Sequence, residues 1–429
     1  MPADNKDKVT ILKLQKQKKN NVKTVGVTAY DYPQALMADN SGVDWVLVGD
    51  SLGMTTLGYK TTIPVTMDDM LRSAKAVSRG VKRAFTVGDM PYMSYQISNE
   101  EAIRNAGEFI QAGMDAVKVE GCMVERIKSI CDSGIMVMSH LGLTPHTRAK
   151  LGGYRVQGKT ADQTNIILEQ ALKLQDAGCS FLLLEAMPRE SAAMIAESLD
   201  IPVYGIGAGD KVDGQLVIMH DLIGLFWEFK SKFVKRYCEA GQLIQSALTD
   251  YVNEVRDLQF PAQENFYEIK DDELEKLEDC YVKAAKLAYQ IGFDFIDLKQ
   301  CHTYLLNELL AAKTRTGRYG GSFENRTRFI RNIIGKIRAE IGPELILSSR
   351  LNIYDGVAYM PNQDTNIGIP REAMTPYPYG FGVDEENPPS PDLEEPIRLI
   401  GLMKEWGVSL VNVSMGSPYY NPHIGRPFE

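Results

Sequence analysis

The sequence is short of four things. Its six cysteines, at positions 122, 131, 179, 238, 280 and 301, never form a Cys-x-x-Cys pair. That pattern argues against a disulfide frame or a zinc site and fits reduced thiols in a cytoplasmic protein. Basic charge is not in excess: the formal net charge is −9 and the pI about 5.3, so there is no field to attract nucleic acid. No apolar run approaches the ~18 residues that span a bilayer. The Lys-rich stretch 1–21 has no apolar signal core. The expected partners are therefore small molecules, with neither nucleic acid nor membrane.

What is present is enough for a soluble enzyme. Hydrophobic residues make up 44% of 429 positions. The length exceeds one compact core and fits a barrel of about 250 residues with something added. Residues 1–268 alternate strand-like runs with amphipathic stretches. Eight strands are predicted: Thr24–Tyr30, Trp45–Asp50, Ala84–Gly88, Ala116–Glu120, Ile135–Ser139, Phe181–Glu185, Pro202–Ile206 and Gln215–Met219. Helical patterns such as Asn99–Ala112 and Asp162–Ala177 lie between several of them. Alternation of this kind predicts a parallel sheet, and eight units in this length predict closure into a (β/α)8 TIM barrel.

Past Phe260-Pro-Ala-Gln-Glu-Asn265 the pattern changes, and residues 269–429 read as a second segment. Lys270–Asp279 is a charged helix start. Helices are expected over Leu274–Gln290, Phe323–Ile341 and Leu393–Trp406, and strands over Phe293–Leu298, Leu345–Arg350 and Val408–Val413. Residues 354–391 form a long irregular stretch. Three strands cannot close a barrel, so this part is expected to be an incomplete α/β barrel fragment.

Four of the strand-like runs in the first segment carry an acid at or just past the carboxyl end: Asp50, Asp89, Glu120 and Glu185. In a parallel barrel those ends converge on one face. Asp50, Asp89 and Glu120 together suit a hard cation such as Mg²⁺, although each alone is more commonly a cap of the following turn. Lys118 lies two residues before Glu120, on the same face of its strand. It is either a structural partner of Glu120 or a cation for a substrate carboxylate or keto oxygen. Glu185 follows the apolar run Phe181-Leu-Leu-Leu184, which would desolvate its carboxylate and make it a better base. The other role open to Glu185 is a fourth metal ligand or a partner for an arginine. His140 is a structural histidine or an orienting group for a substrate oxygen. Gly205-Ile-Gly-Ala-Gly209 lacks dinucleotide-fingerprint spacing. Enolate formation suits this set: Mg²⁺ on a 2-oxo acid, and a carboxylate base for the adjacent proton.

The motifs Thr28-Ala-Tyr-Asp31, Val48-Gly-Asp-Ser-Leu-Gly-Met54, Asp89-Met-Pro91, Val117-Lys-Val-Glu-Gly121, His140-Leu-Gly-Leu-Thr-Pro145, Gly152-Gly-Tyr-Arg-Val-Gln-Gly158 and Gly205–Gly209 run in order through the first segment. With them it resembles the ketopantoate hydroxymethyltransferases. The resemblance implies Mg²⁺, 3-methyl-2-oxobutanoate as acceptor, 5,10-methylenetetrahydrofolate as donor, and a place in pantothenate and coenzyme A biosynthesis. It implies Asp50, Asp89 and Glu120 at the metal, Ser51, Asp89 and Lys118 at the keto acid, and Glu185 as base. It also implies a homo-oligomer, a ring-built decamer in that family.

The second segment is similar to old yellow enzyme-like NADH:flavin oxidoreductases through Gly292-Phe-Asp294, His302-Thr-Tyr-Leu-Leu306, Arg318-Tyr-Gly-Gly-Ser-Phe-Glu-Asn-Arg326, Ser349-Arg350 and Asn421-Pro-His-Ile-Gly-Arg-Pro427. Lys299 stands where many members have a first histidine. His302 and Arg350 are the candidate remnants of a flavin site. The strands before and after this match are missing, so FMN is not expected. Other readings are a Mg²⁺-dependent, enolate-forming carbon–carbon lyase for the first segment, and an FMN-dependent oxidoreductase or an interaction module for the second.

Overall fold

The computed structural model describes residues 8–227, 231–257, 259–362, 364, 367–419 and 421–424. The start of the Lys-rich stretch, residues 1–7, and the end of the last motif, from residue 425, lie outside them. The chain divides into two compact units, Met1–Asp250 and Tyr251–Glu429.

In the first unit, β1 (Thr24–Thr28), β2 (Trp45–Val48), β3 (Phe85–Asp89), β4 (Ala116–Glu120), β5 (Val137–Gly142), β6 (Phe181–Glu185), β7 (Val203–Ile206) and β8 (Gly214–Val217) close a barrel in sequence order. Every neighbouring pair is parallel, including β1 with β8. Strand β5 starts and ends later than predicted. Ile130–Gly134 turns through a left-handed glycine, φ 87° at Gly134, and pairing with β6 carries β5 on to Gly142.

Two cores follow from strand alternation. Inward residues fill the barrel, with Trp45 stacked on Tyr204 at 5.1 Å and Phe85 edge-on to Phe181 at 5.8 Å. Val9 and Leu14 join this interior cluster. The helix Ile11–Lys19 therefore plugs the amino-terminal end, where the Val9 amide donates to the Arg83 carbonyl. Outward residues such as Val46, Val117 and Leu182 pack against the surrounding helices. Those helices are well started. Thr66 and Asp69 form a reciprocal capping box on Met67–Gly80, and Ser98 and Thr160 cap Asn99–Gln111 and Ala161–Asp176. Each cap satisfies amides that a helix leaves open at its start.

In the second unit, β9 (Phe295–Gln300) and β10 (Ile346–Tyr354) lie side by side. The short strands β11 (Tyr359–Pro361) and β12 (Gly368–Pro370) pair antiparallel, and β13 (Leu410–Met415) completes a three-stranded parallel sheet of order β13-β10-β9. The sheet is open. One face is covered by helices Asp271–Gln290, Arg328–Ile341 and Glu394–Glu405 around Leu298, Ile333, Leu347, Leu351 and Leu399. Three features differ from expectation. The irregular stretch 354–391 contains the β11–β12 hairpin, and an additional helix spans Leu305–Ala311. The helix predicted over Phe323–Ile341 breaks at Thr327, whose hydroxyl donates back to the Phe323 carbonyl at 2.8 Å. Hydroxyl back-bonding of this kind competes with the helix ladder.

Candidate active site

The carboxyl ends of β2 to β6 are consecutive around the barrel, so the groups they carry meet. Asp50 and Ser51 follow β2; Asp89 ends β3; Lys118 and Glu120 lie on β4; His140 is on β5; Glu185 ends β6. Register aligns them in pairs, with Asp89 beside Lys118 and Glu120 beside His140. Gly142 closes the row opposite Glu185 with φ 88°. A Cβ there would fall 2.4 Å from the Glu185 carbonyl oxygen, so only glycine lets β5 approach this closely. The pairs open onto a cavity of about 630 Å³ lined by Asp50, Ser51, Asp89, Lys118, His140 and Glu185, among others. Glu120 does not line it.

Lys118 Nζ donates to both oxygens of Asp89 at 2.6 Å, and both side chains are buried. The Asp50 amide donates to Asp89 Oδ2 at 3.1 Å. Asp50 Oδ2 is 2.8 Å from His146 Nε2. The His146 amide donates to Glu120 Oε1 at 2.7 Å, and its Nδ1 is 3.0 Å from the Tyr95 hydroxyl. His140 sits between Glu120 at 3.6 Å and Glu185 at 3.2 Å; both are ion-pair distances, and neither has hydrogen-bond geometry. The Ser51 hydroxyl is 2.8 Å from that of Tyr30.

Burial and charge compete at each group. Burial raises Asp89, and Asp50 adds to the rise, while Lys118 opposes it; the outcome is about 6. Burial also acts to raise Asp50, but the His146 hydrogen bond and the Lys118 charge outweigh it and hold Asp50 well below the usual carboxylate range. Burial disfavours the Lys118 ammonium, yet Asp89, Asp50 and Glu120 push it above the ordinary lysine range. Burial likewise opposes the His140 imidazolium, and Glu120 and Glu185 reverse this, raising it to about 9. His140 is therefore cationic at neutral pH.

The family model for ketopantoate hydroxymethyltransferase matches residues 8–263. The chain belongs to this family. Its similarity to named relatives is high over the same part. It is 46% identical over 275 residues to a 3-methyl-2-oxobutanoate hydroxymethyltransferase of Alkaliphilus metalliredigens, covering 63% of this chain and 97% of the relative. It is 48% identical over 254 residues to one of Syntrophobacter fumaroxidans, covering 58% and 90%. Among solved structures it is similar to a phosphoenolpyruvate phosphomutase of Streptomyces platensis subsp. rosaceus, with 13% identity and a TM-score of 0.40 over 66% of this chain and 99% of that one. A 2,3-dimethylmalate lyase gives 15% and 0.41 over 66% and 99%.

Sequence reasoning missed two members of the site in this hydroxymethyltransferase unit, His146 and Tyr95. His146 is on the short turn Pro145–Thr147 after β5, and nothing in its local sequence announces a contact with Asp50, 96 positions away. Glu185 also differs from expectation. Apolar residues precede it, but its side chain is 20% exposed and faces the cavity beside His140. It is a solvated carboxylate with a cationic neighbour, not one sealed in apolar surroundings.

The model for the NADH:flavin oxidoreductase / NADH oxidase family matches residues 237–366. In the second unit, Arg350 on β10 is in register with Lys299 on β9, and His302 follows β9 with φ 60°. Burial and the charges of Arg350 and Lys299 lower His302. Lys299 Nζ sits 3.4 Å from the centre of the Tyr304 ring. Lys299, Arg350 and His302 gather at one end of the open sheet. Among the described residues, no group of three or more His, Cys, Asp or Glu is arranged as a finished metal site, and no helix is long and apolar enough to cross a membrane.

Proposed function

We propose that this enzyme transfers a hydroxymethyl group from 5,10-methylenetetrahydrofolate to C3 of 3-methyl-2-oxobutanoate, giving 2-dehydropantoate for pantothenate and coenzyme A synthesis. The observation that carries the reading is the single cavity whose floor joins a carboxylate pair, a lysine, a histidine and Glu185. Asp50 and Asp89 fit Mg²⁺. They are oxygen donors from adjacent strand ends, and burial, with the neighbouring Asp50 charge, raises Asp89. Mg²⁺ usually takes one or two protein carboxylates and fills its shell with water and substrate, so a complete protein cage is not needed. Glu120, set behind the cavity wall, would act through water. When bound, the metal supplies charge stabilisation at the developing enolate oxygen.

The remaining roles belong to side chains. Ser51, held by Tyr30, and Lys118 bind and orient the keto acid. Glu185 takes the C3 proton, and the adjacent His140 imidazolium holds its carboxylate in place. Water adds to the donor's methylene carbon and both carbon–nitrogen bonds break, which frees formaldehyde and tetrahydrofolate. The C3 carbanion then adds to the formaldehyde carbon, and its oxygen takes a proton to become the hydroxyl. The test is 2-dehydropantoate formation before and after chelation, then with Mg²⁺ restored. Turnover should vanish and return. Full turnover in excess chelator, or carbon–carbon cleavage without folate, defeats the reading. Homo-oligomeric assembly and a cytoplasmic location accompany it.

For residues 269–429 the proposal is a segment without flavin chemistry. The sheet of three strands leaves Arg350 exposed, and a ring system bound there would not be mostly buried as small-molecule sites require. The purified protein is expected to show no stoichiometric flavin absorbance. A chain ending at Glu268 is expected to keep its transferase activity. One flavin per chain, or loss of transfer on shortening, refutes this part.

A further inference from the structure

Taking the proposed reaction as given, we infer that the rim of the barrel cavity is the seat of the one-carbon donor. Tyr154 and Phe233 flank its flat ring system, and Arg155 and Lys232 meet its anionic glutamyl tail. The inference deepens that reading and rests on it.

The cavity has more room than the keto acid uses. Its 630 Å³ lies within the range of about 300–1,000 Å³ typical of pockets for drug-sized ligands, and a small branched keto acid occupies a minor part of it. The polar groups are on the floor. The rim has a different chemistry and comes from two loops. Tyr154, Arg155 and Val156 follow β5, whereas Phe226, Lys232 and Phe233 follow β8. In the closed barrel β5 and β8 are three strands apart, so the loops reach the opening from different sides.

Three of these rim residues are large and apolar yet exposed: Tyr154 at 50%, Val156 at 43% and Phe233 at 46%. Exposed aromatic faces on a cavity edge suit a flat aromatic guest, which stacks on them in offset or edge-on geometry. Each ring is supported from behind. The Arg148 guanidinium carbon is 5.7 Å from the centre of the Tyr154 ring. Phe233 rests on Gly207, where φ is 65° and a Cβ would come 2.7 Å from the ring. This gives part of the Gly205–Gly209 motif a physical role: bare backbone leaves space for Phe233.

The charge on the rim is also distinctive. Arg155 and Lys232 are exposed and line the cavity, and neither makes an ion pair with a described residue, although acids outnumber bases 56 to 47 in this chain. Two cations on the rim, neither with an acidic partner among the described residues, favour an anion there, and carboxylates are the natural acceptors of their charge-assisted hydrogen bonds. A pterin with a p-aminobenzoyl-glutamate tail combines a flat ring with carboxylates at the far end. The keto acid, bound on the floor, lacks the ring.

The test compares 5,10-methylenetetrahydrofolate carrying one glutamate with the form carrying five. It also follows folate-free deuterium exchange at C3 of 3-methyl-2-oxobutanoate. An Arg155→Ala/Lys232→Ala double variant should raise KM for the five-glutamate donor by about tenfold or more and abolish its advantage over the one-glutamate donor. Phe233→Ala should raise KM for both donors, and Phe233→Tyr should restore it. C3 exchange needs no folate and should proceed in all of them, which also shows that the barrel is folded. Unchanged donor KM in the double variant and in Phe233→Ala, with exchange intact, overturns the inference and leaves the proposed reaction standing. Loss of exchange in these variants overturns the separation of rim from floor. Absence of both exchange and product in the unmodified enzyme defeats the proposed reaction itself.

Discussion

Glu185→Gln is expected to abolish most of the C3 exchange of 3-methyl-2-oxobutanoate, with a loss of about 10²–10⁴-fold, the usual contribution of a general base. Glutamine keeps the size of the side chain at the end of β6 and leaves an oxygen facing His140 Nε2, which is 3.2 Å from Oε2 in the native protein. It cannot take a proton. The substitution therefore removes the chemistry and leaves the neighbourhood largely intact. Exchange is the right reading because it reports proton removal alone, before any donor is involved. His140 sharpens the expectation. Against the burial that lowers it, Glu120 and Glu185 raise it to about 9 in the native enzyme, so there it carries its proton and Glu185 is the free acceptor. A Glu185→Gln enzyme that exchanges deuterium as fast as the native one would remove Glu185 from the role of base.

The barrel was largely legible because its strands are short and mostly apolar, and four of them end at or just before an acid. Phe181–Glu185 and Ala116–Glu120 match the observed strands residue for residue. Ends that depend on a partner strand were less visible: the extension of β5 to Gly142 follows from pairing with β6, not from local pattern. The same divide runs through the site. Asp50, Asp89, Lys118, Glu120 and Glu185 lie at or beside strand ends, so the topology alone gathers them. His146 lies beyond a strand, in a turn. It meets Asp50, Glu120 and Tyr95 only because that turn folds back over the barrel mouth. The β11–β12 hairpin was equally hidden, since its strands have three residues each and both end in proline.

Asp89→Asn is expected to weaken Mg²⁺ binding and slow turnover together, because an amide is a poorer ligand than a carboxylate for a hard cation. The native contacts predict a second consequence. Lys118 and Asp89 are buried to 5% and 1% side-chain exposure, and both Asp89 oxygens accept from Lys118. Removing one charge of a buried pair typically costs about 3–5 kcal/mol, so the variant should also melt at a lower temperature. Metal affinity must therefore be measured directly, by titration calorimetry well below the melting transition, and kcat at saturating Mg²⁺. Asp50→Asn separates the two effects. Asp50 has no lysine bonded to it; its oxygen meets His146 instead. That variant should lose metal affinity with a smaller loss of stability. If both asparagine variants bind Mg²⁺ as the native enzyme does, the carboxylate pair is not the metal site. If only Asp89→Asn is impaired, and only in stability, then Asp89 serves to hold Lys118 in position beneath the keto acid.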